Sequence, residues 1–412
     1  MSCEFATAPS RDLLSCIGRG AVCARRRMPG GCAALCLILM STGATLAQAP
    51  PSLPERIEGL LIGSLIGDAA GGPFEFRPPD RSAWTRTDRV LTEAGIDELA
   101  SRFALHEYVR EAEPYGPWTR NAPAGTVTDD SRFKILFFNS LEAAGGPSRR
   151  SFARSILDFH ADTAGVHGQL PRQWLDEFAG PARWILGMSE DEGALPPERS
   201  WGGIPTMAGQ MPFLPVAGLA PGDPERAYRI VWDMDFLDNG TAFDLNAGLV
   251  AGLSAALEPG ADWNTVERAM RTTDPFRYGE VPWVGRPLSR WLDFSHSSVE
   301  RSGGRAATLF EILEEELGAT TWWEGHVPMT VVFACAELAR YDPLAAMQLI
   351  LEFGHDTDSY LQVAGAFVGA LHGKEIFPEY MREAVHARLE ADYGDSPDRW
   401  LHLMGVKTDP SR

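Results

Sequence analysis

Past residue 49 this chain of 412 residues has a single cysteine, Cys335. The other five, Cys3, Cys16, Cys23, Cys32 and Cys36, all precede it in the first stretch of the chain. One cysteine cannot close an internal disulfide, so an oxidising compartment is tolerated and not exploited. Cys335 sits in the apolar run 329–338 and reads as a small buried hydrophobe, not a nucleophile. Positive charge is scarce too, with 37 Lys and Arg against 56 Asp and Glu and a formal net charge of −19. Without a basic stripe, nucleic acid and anionic membrane are excluded as partners; a metal ion or a cationic side chain is the more natural guest. No apolar run is long enough to span a membrane. Alternating Val, Ile and Thr runs are nearly absent, which argues against a sheet.

What is present begins with a leader. Arg25-Arg26-Arg27 precedes an apolar run over 32–46, and Ala47-Gln48-Ala49 fits a small-residue cleavage site. This order predicts a secretory signal peptide over 1–49, cut after Ala49, and a periplasmic or secreted mature protein. Met28 is a possible true start, and an uncleaved anchor is the alternative. Residues 50–412 then form the working part, long enough for a sizeable core. No linker or internal repeat divides it.

Helical periodicity runs through most of that part. In 131–144, Phe133, Leu136, Phe137, Leu141 and Ala144 recur at i, i+3, i+4 spacing until Gly145-Gly146-Pro147 stops them. Similar patterns occupy 151–160, 224–236, 241–257, 305–317, 327–339, 342–352, 357–372 and 378–391. Gly- and Pro-rich segments at 112–126, 193–224 and 273–287 read as long loops. The expectation is one all-α domain, a compact multi-helix bundle. Gly59, Gly63 and Gly67, and again Gly365, Gly369 and Gly373, are spaced by four. Each interior glycine costs a helix roughly 1 kcal/mol relative to alanine. Two such stripes are explained by helices whose backbones touch.

Two acidic clusters, Thr128-Asp129-Asp130 and Asp356-Thr357-Asp358-Ser359, stand where helices begin. Asp and Ser at a helix start ordinarily cap free N–H groups and meet the dipole. Taken together, the two pairs of Asp with a hydroxyl beside each also make an oxygen-only cage of the kind hard divalent cations such as Mg2+ take. Asp68 falls near the end of a helix, where the dipole disfavours an anion; a metal shell or a hydrogen-bond network must stabilise it. Glu75, between Phe74 and Phe76, is expected to be partly desolvated, which raises a carboxyl pKa and suits acid–base work.

These residues carry a family resemblance. Residues 63–75 resemble the G-x-x-x-G-D-A-x-G-x-P-x-E motif of the ADP-ribosylglycohydrolases, the group that includes the dinitrogenase-reductase-activating glycohydrolase. Gly125-Thr126-Val127-Thr128-Asp129-Asp130 resembles the threonine-aspartate-aspartate motif of that family. Gly354-His355-Asp356-Thr357-Asp358-Ser359, followed by Ala364-Gly365-Ala366 and Gly369-Ala370-Leu371-His372-Gly373, resembles its C-terminal motif. The three occur in the family's order across about 57–373. The resemblance implies an all-α fold and two Mg2+ or Mn2+ ions bound by Thr128, Asp129, Asp130, Asp356, Asp358 and Ser359. Ser359 stands where the family commonly has Thr, and keeps the hydroxyl. Glu75 matches the glutamate near the scissile bond, and Asp68 takes a supporting place beside the substrate.

The implied chemistry is cleavage of a glycosidic bond to ribose, through an oxocarbenium-like state attacked by water. Metal ions orient the ribose hydroxyls and activate the water, and a carboxylate takes the proton. Glu75, Asp130 and Asp356 are the candidates for that catalytic role. The implied partner is an ADP-ribosylated protein or a small ADP-ribose derivative, with no nucleic acid, and no membrane once the leader is cut. The middle of the chain departs from the pattern. The family's segment for phosphate and ribose carries Asn and Arg, whereas Trp201-Gly202-Gly203-Ile204-Pro205-Thr206-Met207-Ala208-Gly209-Gln210-Met211 keeps only the small residues Gly202 and Gly203 and Met207. Losing the Arg weakens the expectation of pyrophosphate binding there. Another ribosyl or nucleoside-like glycoside, or a non-catalytic binder, are the alternatives.

A further acidic segment, Asp233-Met234-Asp235-Phe236-Leu237-Asp238-Asn239-Gly240, misses the spacing and the closing Glu of an EF-hand. Trp201, Trp322 and Trp323 are candidates to stack on a ring of the substrate. His355, beside the second acid cluster, reads equally as a substrate contact or a packing residue. His326 gives no independent signal.

Overall fold

The helix Leu53–Gly71 explains most of the architecture. Ser52 and Glu55 form a capping box at its start, with the Ser52 N–H donating to Glu55 Oε2 at 2.7 Å. Nearly all its residues from Arg56 onward are buried on every side, so it is a central helix and not a surface one. It runs antiparallel along the helix Thr357–His372, and the two glycine stripes face each other. A Cβ on Gly63 would lie 2.1 Å from the Gly365 carbonyl oxygen, and one on Gly369 would lie 1.8 Å from that of Gly59. Only glycine permits backbones this close. At the far end, a Cβ on Gly71 would meet the Asp358 N at 2.4 Å, and the Thr357 hydroxyl donates to the Gly71 carbonyl at 2.9 Å. The stripe therefore brings the C-terminal end of one helix, with Asp68, against the N-terminal end of the other, with its acids.

The computed structural model describes residues 50–107, 122–161 and 172–407. The expected leader, 1–49, lies outside the described residues, as does 112–121 of the first long loop. Eighteen α-helices lie among the described residues, with no sheet and only the isolated bridges Val90–Arg305 and Thr206–Glu324. The all-α expectation is borne out. Around the central pair pack His326–Leu338, Pro343–Phe353 and Ala242–Ala256, three helices dominated by buried apolar residues. Cys335 is buried among them, its thiol pushed up by burial. None of the described helices is long and apolar enough to cross a membrane.

The periodicity places the remaining helices to within a few residues, and the structure adds Glu93–Arg102, Trp263–Thr272 and Pro287–Ser302. Thr92 and Asp262 cap the first two through their side chains, and Pro287 begins the third. The expected loop 193–224 is a correction. It holds the 3-10 turns of Pro197–Gly203 and the short helices Gln210–Phe213 and Val216–Leu219. Pro205, Pro212 and Pro215 keep these pieces short without making them irregular.

Candidate metal centre

Asp68 lies in the last turn of its helix, yet its carboxylate is fully buried. The start of the next acidic helix, Asp129–Ala144, resolves the conflict. The Thr128 N–H donates to Asp68 Oδ1 at 3.0 Å, the Thr128 hydroxyl to the same oxygen at 2.7 Å, and the Ser131 N–H to Oδ2 at 3.1 Å. The Ser131 hydroxyl donates to Oδ2 as well. An anion badly placed for its own dipole is thus well placed for that of its neighbour. Asp68 is a tie between two helices. It does not line the cavity described below.

Thr128 is used up in the same way. It caps the Asp129–Ala144 helix, its hydroxyl accepting from the Asp130 N–H at 3.3 Å while donating to Asp68. It does not line the cavity described below, unlike Asp129 and Asp130. Asp130 Oδ2 accepts the Ser359 hydroxyl at 3.0 Å, which crosses from one acidic helix start to the other. On the second start, Asp356 occupies the N-cap position but its side chain makes no capping hydrogen bond. It lines the cavity described below instead, so the ordinary capping role does not account for it.

These acids form two groups. One oxygen each from Asp68, Asp130 and Asp358 lie within 4.8 Å of one another, and so do oxygens of Glu75, Asp356 and Asp358. Asp358 belongs to both. Burial raises the carboxyls of Asp130 and Asp358 well above the usual range, and neighbouring acids push the same way. Asp356 is pushed up to about 7 by burial. Asp129 is raised by burial, with Arg132 opposing. Crowding this costly calls for a counter-cation. The donors are all hard oxygens at cation-cage spacing, which fits Mg2+ or a similar ion.

Glu75 is held over the site from the turn after the first helix, 7% exposed. The Phe76 N–H donates to the His355 carbonyl at 2.6 Å, latching this turn to the second acid cluster. The His355 ring itself stacks on Trp322, with centroids 3.5 Å apart, and its Nε2 lies 3.7 Å from Glu314. The ring thus makes a packing contact. His355 is not among the residues lining the cavity.

That cavity measures about 230 Å3. Its acidic wall is Glu75, Asp129, Asp130, Asp356, Asp358 and Ser359, and its apolar wall is Phe76, Trp201, Met207, Ala208, Met211 and Trp323, with Thr206 between. No Lys, Arg or His among the described residues lines it. Met207 and Trp201 are where the sequence places them. Gly202 and Gly203 are not: both sit on an exposed turn with positive φ, outside the lining. Of the two adjacent tryptophans, Trp323 lines the cavity and Trp322 supports His355.

The apolar wall is stitched in place. The Met207 N–H donates to the Trp323 carbonyl at 3.0 Å and the Gly325 N–H to that of Pro205 at 2.9 Å. Behind it lies the acidic segment that is not an EF-hand. Asp238 accepts from the Thr206 hydroxyl, from the Gly209 N–H at 2.6 Å and from Asn246 Nδ2 at 2.9 Å. Its role, like that of Lys134 and Gln362 behind Asp130, escapes sequence reasoning. Asp238 sits outside any motif, and the other two look like polar interruptions of apolar helices. A lysine falling one turn after an acidic helix start, inside an otherwise buried face, is the one signal available.

An all-α body with paired, buried carboxylates at two facing helix starts offers a candidate metal site. The ADP-ribosylglycohydrolase family matches residues 49–407, and the chain belongs to that family, whose members cleave glycosidic bonds in ADP-ribosylated substrates in general. A solved structure titled an ADP-ribosylglycohydrolase-related protein complex aligns with a TM-score of 0.51. It covers 87% of this chain and 99% of that one at 15% identity, which is a likeness of fold. No curated protein sequence matches the chain.

Proposed function

We propose that the protein uses two Mg2+ ions to hydrolyse the bond between ADP-ribose and a modified side chain or small acceptor. The observation that carries this reading is the pair of acid groups sharing Asp358, set across a 230 Å3 cavity from an aromatic and thioether wall. Asp130, Asp356 and Asp358 would hold the ions, with Asp129 and Ser359 at the edge. Thr128 is left out of the set, since its hydroxyl serves the helix cap. Mn2+ suits the same oxygens. Bound there, such ions supply Lewis acidity toward the ribose hydroxyls and lower the pKa of a water.

The residues do the rest. Trp201 and Trp323 present faces on which the guest's ring stacks. Phe76, Met207 and Met211 exclude bulk water from the scissile bond. Glu75, held by the His355 latch, takes the proton from the attacking water. Positive charge that builds on the ribose ring is met by the carboxylate wall. The leader would carry the enzyme out of the cytoplasm, and N-terminal sequencing of the exported protein should then begin at Pro50.

A second reading has one observation in its favour. The Arg of the family pattern is missing from 201–211, and no Lys, Arg or His among the described residues lines the cavity. A pyrophosphate would find no cationic side chain there, which favours another ribosyl glycoside. Calorimetric titration of ADP-ribose with and without Mg2+ separates the two. Metal-dependent binding supports the first reading. A protein that holds Mg2+ but ignores ADP-ribose, and binds an uncharged ribosyl glycoside, requires the second.

A further inference from the structure

Beneath the acid cluster lies a buried cation that no step above uses. Lys134 is one turn beyond Asp130 on the same helix and wholly inaccessible to solvent. Its Nζ donates to the Asp130 backbone carbonyl at 3.1 Å and to Gln362 Oε1. Gln362, one turn beyond Asp358 on the facing helix and 1% exposed, donates through Nε2 to Asp130 Oδ1. A carboxamide can ordinarily turn over, exchanging its oxygen and nitrogen. Here it cannot, because an ammonium has only donors and a carboxylate only acceptors. Oε1 must face Lys134 and the NH2 group must face Asp130.

We propose that Gln362 is a positioning residue of the metal centre, its amide locked by Lys134 so that it fixes the Asp130 carboxylate for the cation. With Oδ1 held by Gln362, and Oδ2 accepting the Ser359 hydroxyl at 3.0 Å, the carboxylate is clamped from both sides. Its plane is set before any ion arrives. The clamp joins the two acidic helices, so it also holds Asp130 and Asp358 at one spacing. Partners that orient a ligand in this way typically change metal affinity by about 10–100-fold when removed. The inference rests on the metal reading above.

The test is calorimetric titration of Mn2+ into the mature protein, alongside its thermal melt without metal. Gln362→Met keeps the volume and the Lys134 charge and removes the amide. Affinity is expected to fall about tenfold or more, with kcat falling alongside while the folded structure, read by circular dichroism, persists. A role in packing alone would move the melt and leave the affinity. Should that variant not fold, because the ammonium has lost its acceptor, the double variant Lys134→Met/Gln362→Met strands no charge and is expected to stay at least tenfold weaker than wild type. Wild-type affinity in either folded variant overturns the inference while leaving the metal reading intact. Wild-type protein that takes up no Mn2+ overturns both.

Discussion

Asp235 and Asp238 are as deeply buried as Asp356 and Asp358, at 1% and 0% exposed against 7% and 3%. The two pairs meet the same electrostatic problem with opposite solutions. Each oxygen of the first pair has a donor. Asp235 Oδ1 accepts the N–H groups of Leu237 and Asp238, its Oδ2 accepts Asn246 Nδ2, and Asp238 is bound by Thr206, Gly209 and Asn246. In the second pair Asp358 Oδ1 accepts the Ser359 N–H at 3.1 Å, the Asp356 side chain makes no capping hydrogen bond, and both acids line the cavity. A donor-saturated pair away from the cavity serves as scaffold; a crowded pair that lines the cavity is a candidate cation site. Local sequence is similar in the two places, an acid every second or third residue, so the surroundings make the distinction.

Substitution should drive the two pairs apart. Asp358→Asn is expected to abolish Mg2+ uptake and cut turnover by on the order of 10³-fold, while the metal-free protein melts no lower, since a buried like-charge contact is relieved. Turnover that survives this change would break the comparison at its centre. Asp238→Ala should do the reverse. It leaves Thr206, Gly209 and Asn246 unpaired and is expected to cost about 2–4 kcal/mol in chemical denaturation, with Mg2+ affinity retained. The framework beneath both can be probed at Gly63. A Cβ there lands 2.1 Å from the Gly365 carbonyl oxygen, so Gly63→Val is expected to cost about 4 kcal/mol or more and to weaken metal binding by parting the acidic helix ends.

A smaller effect sharpens the view of the scaffold pair. Burial pushes the Asp235 carboxyl up to about 6 from the ordinary 3.8. The folded protein then keeps a proton that the unfolded chain has released. Asp235 should contribute a fall in stability of at most about 3 kcal/mol as pH rises from about 4 to about 6, and the other raised carboxyls, Asp356 among them, carry the fall on above that. Asp235→Asn flattens that slope, whatever it does to absolute stability; denaturation midpoints at intervals across the range give the reading. The smallest change is expected for Trp323→Ala. The ring is 39% exposed, so the melt should hardly move, while the KM for the guest rises several-fold through lost stacking, about 1–2 kcal/mol.

Much of this was legible in the chain. Apolar spacing marks the helices, and the interleaved glycines mark a backbone contact that no other residue allows. The acid pairs at two helix starts, in an order that resembles a known family, mark the candidate cation site. Which neighbour each site residue meets was not legible, for a common reason. Asp68 and Thr128 belong to the matching motifs and hydrogen-bond to each other, with Ser131 a further donor to Asp68. His355 stands next to Asp356 in sequence and stacks its ring on Trp322. Adjacent residues on a helix start point in different directions, so proximity along the chain does not say which side chain reaches the cavity.

The sequence by itself determined that the protein is all-α, that two of its helices touch along glycine, and that its acids concentrate at helix starts. Periodicity and backbone sterics are local properties, written in runs of a dozen residues. Only the tertiary structure decided which acids share a cation cage and which are tied down as scaffold. That choice depends on donors from distant helices: Asp68 is met by residues 60 positions on, and Asp130 by Ser359, 229 positions away. A carboxylate's role follows from the hydrogen bonds and solvent around it, and those exist only once the helices have packed.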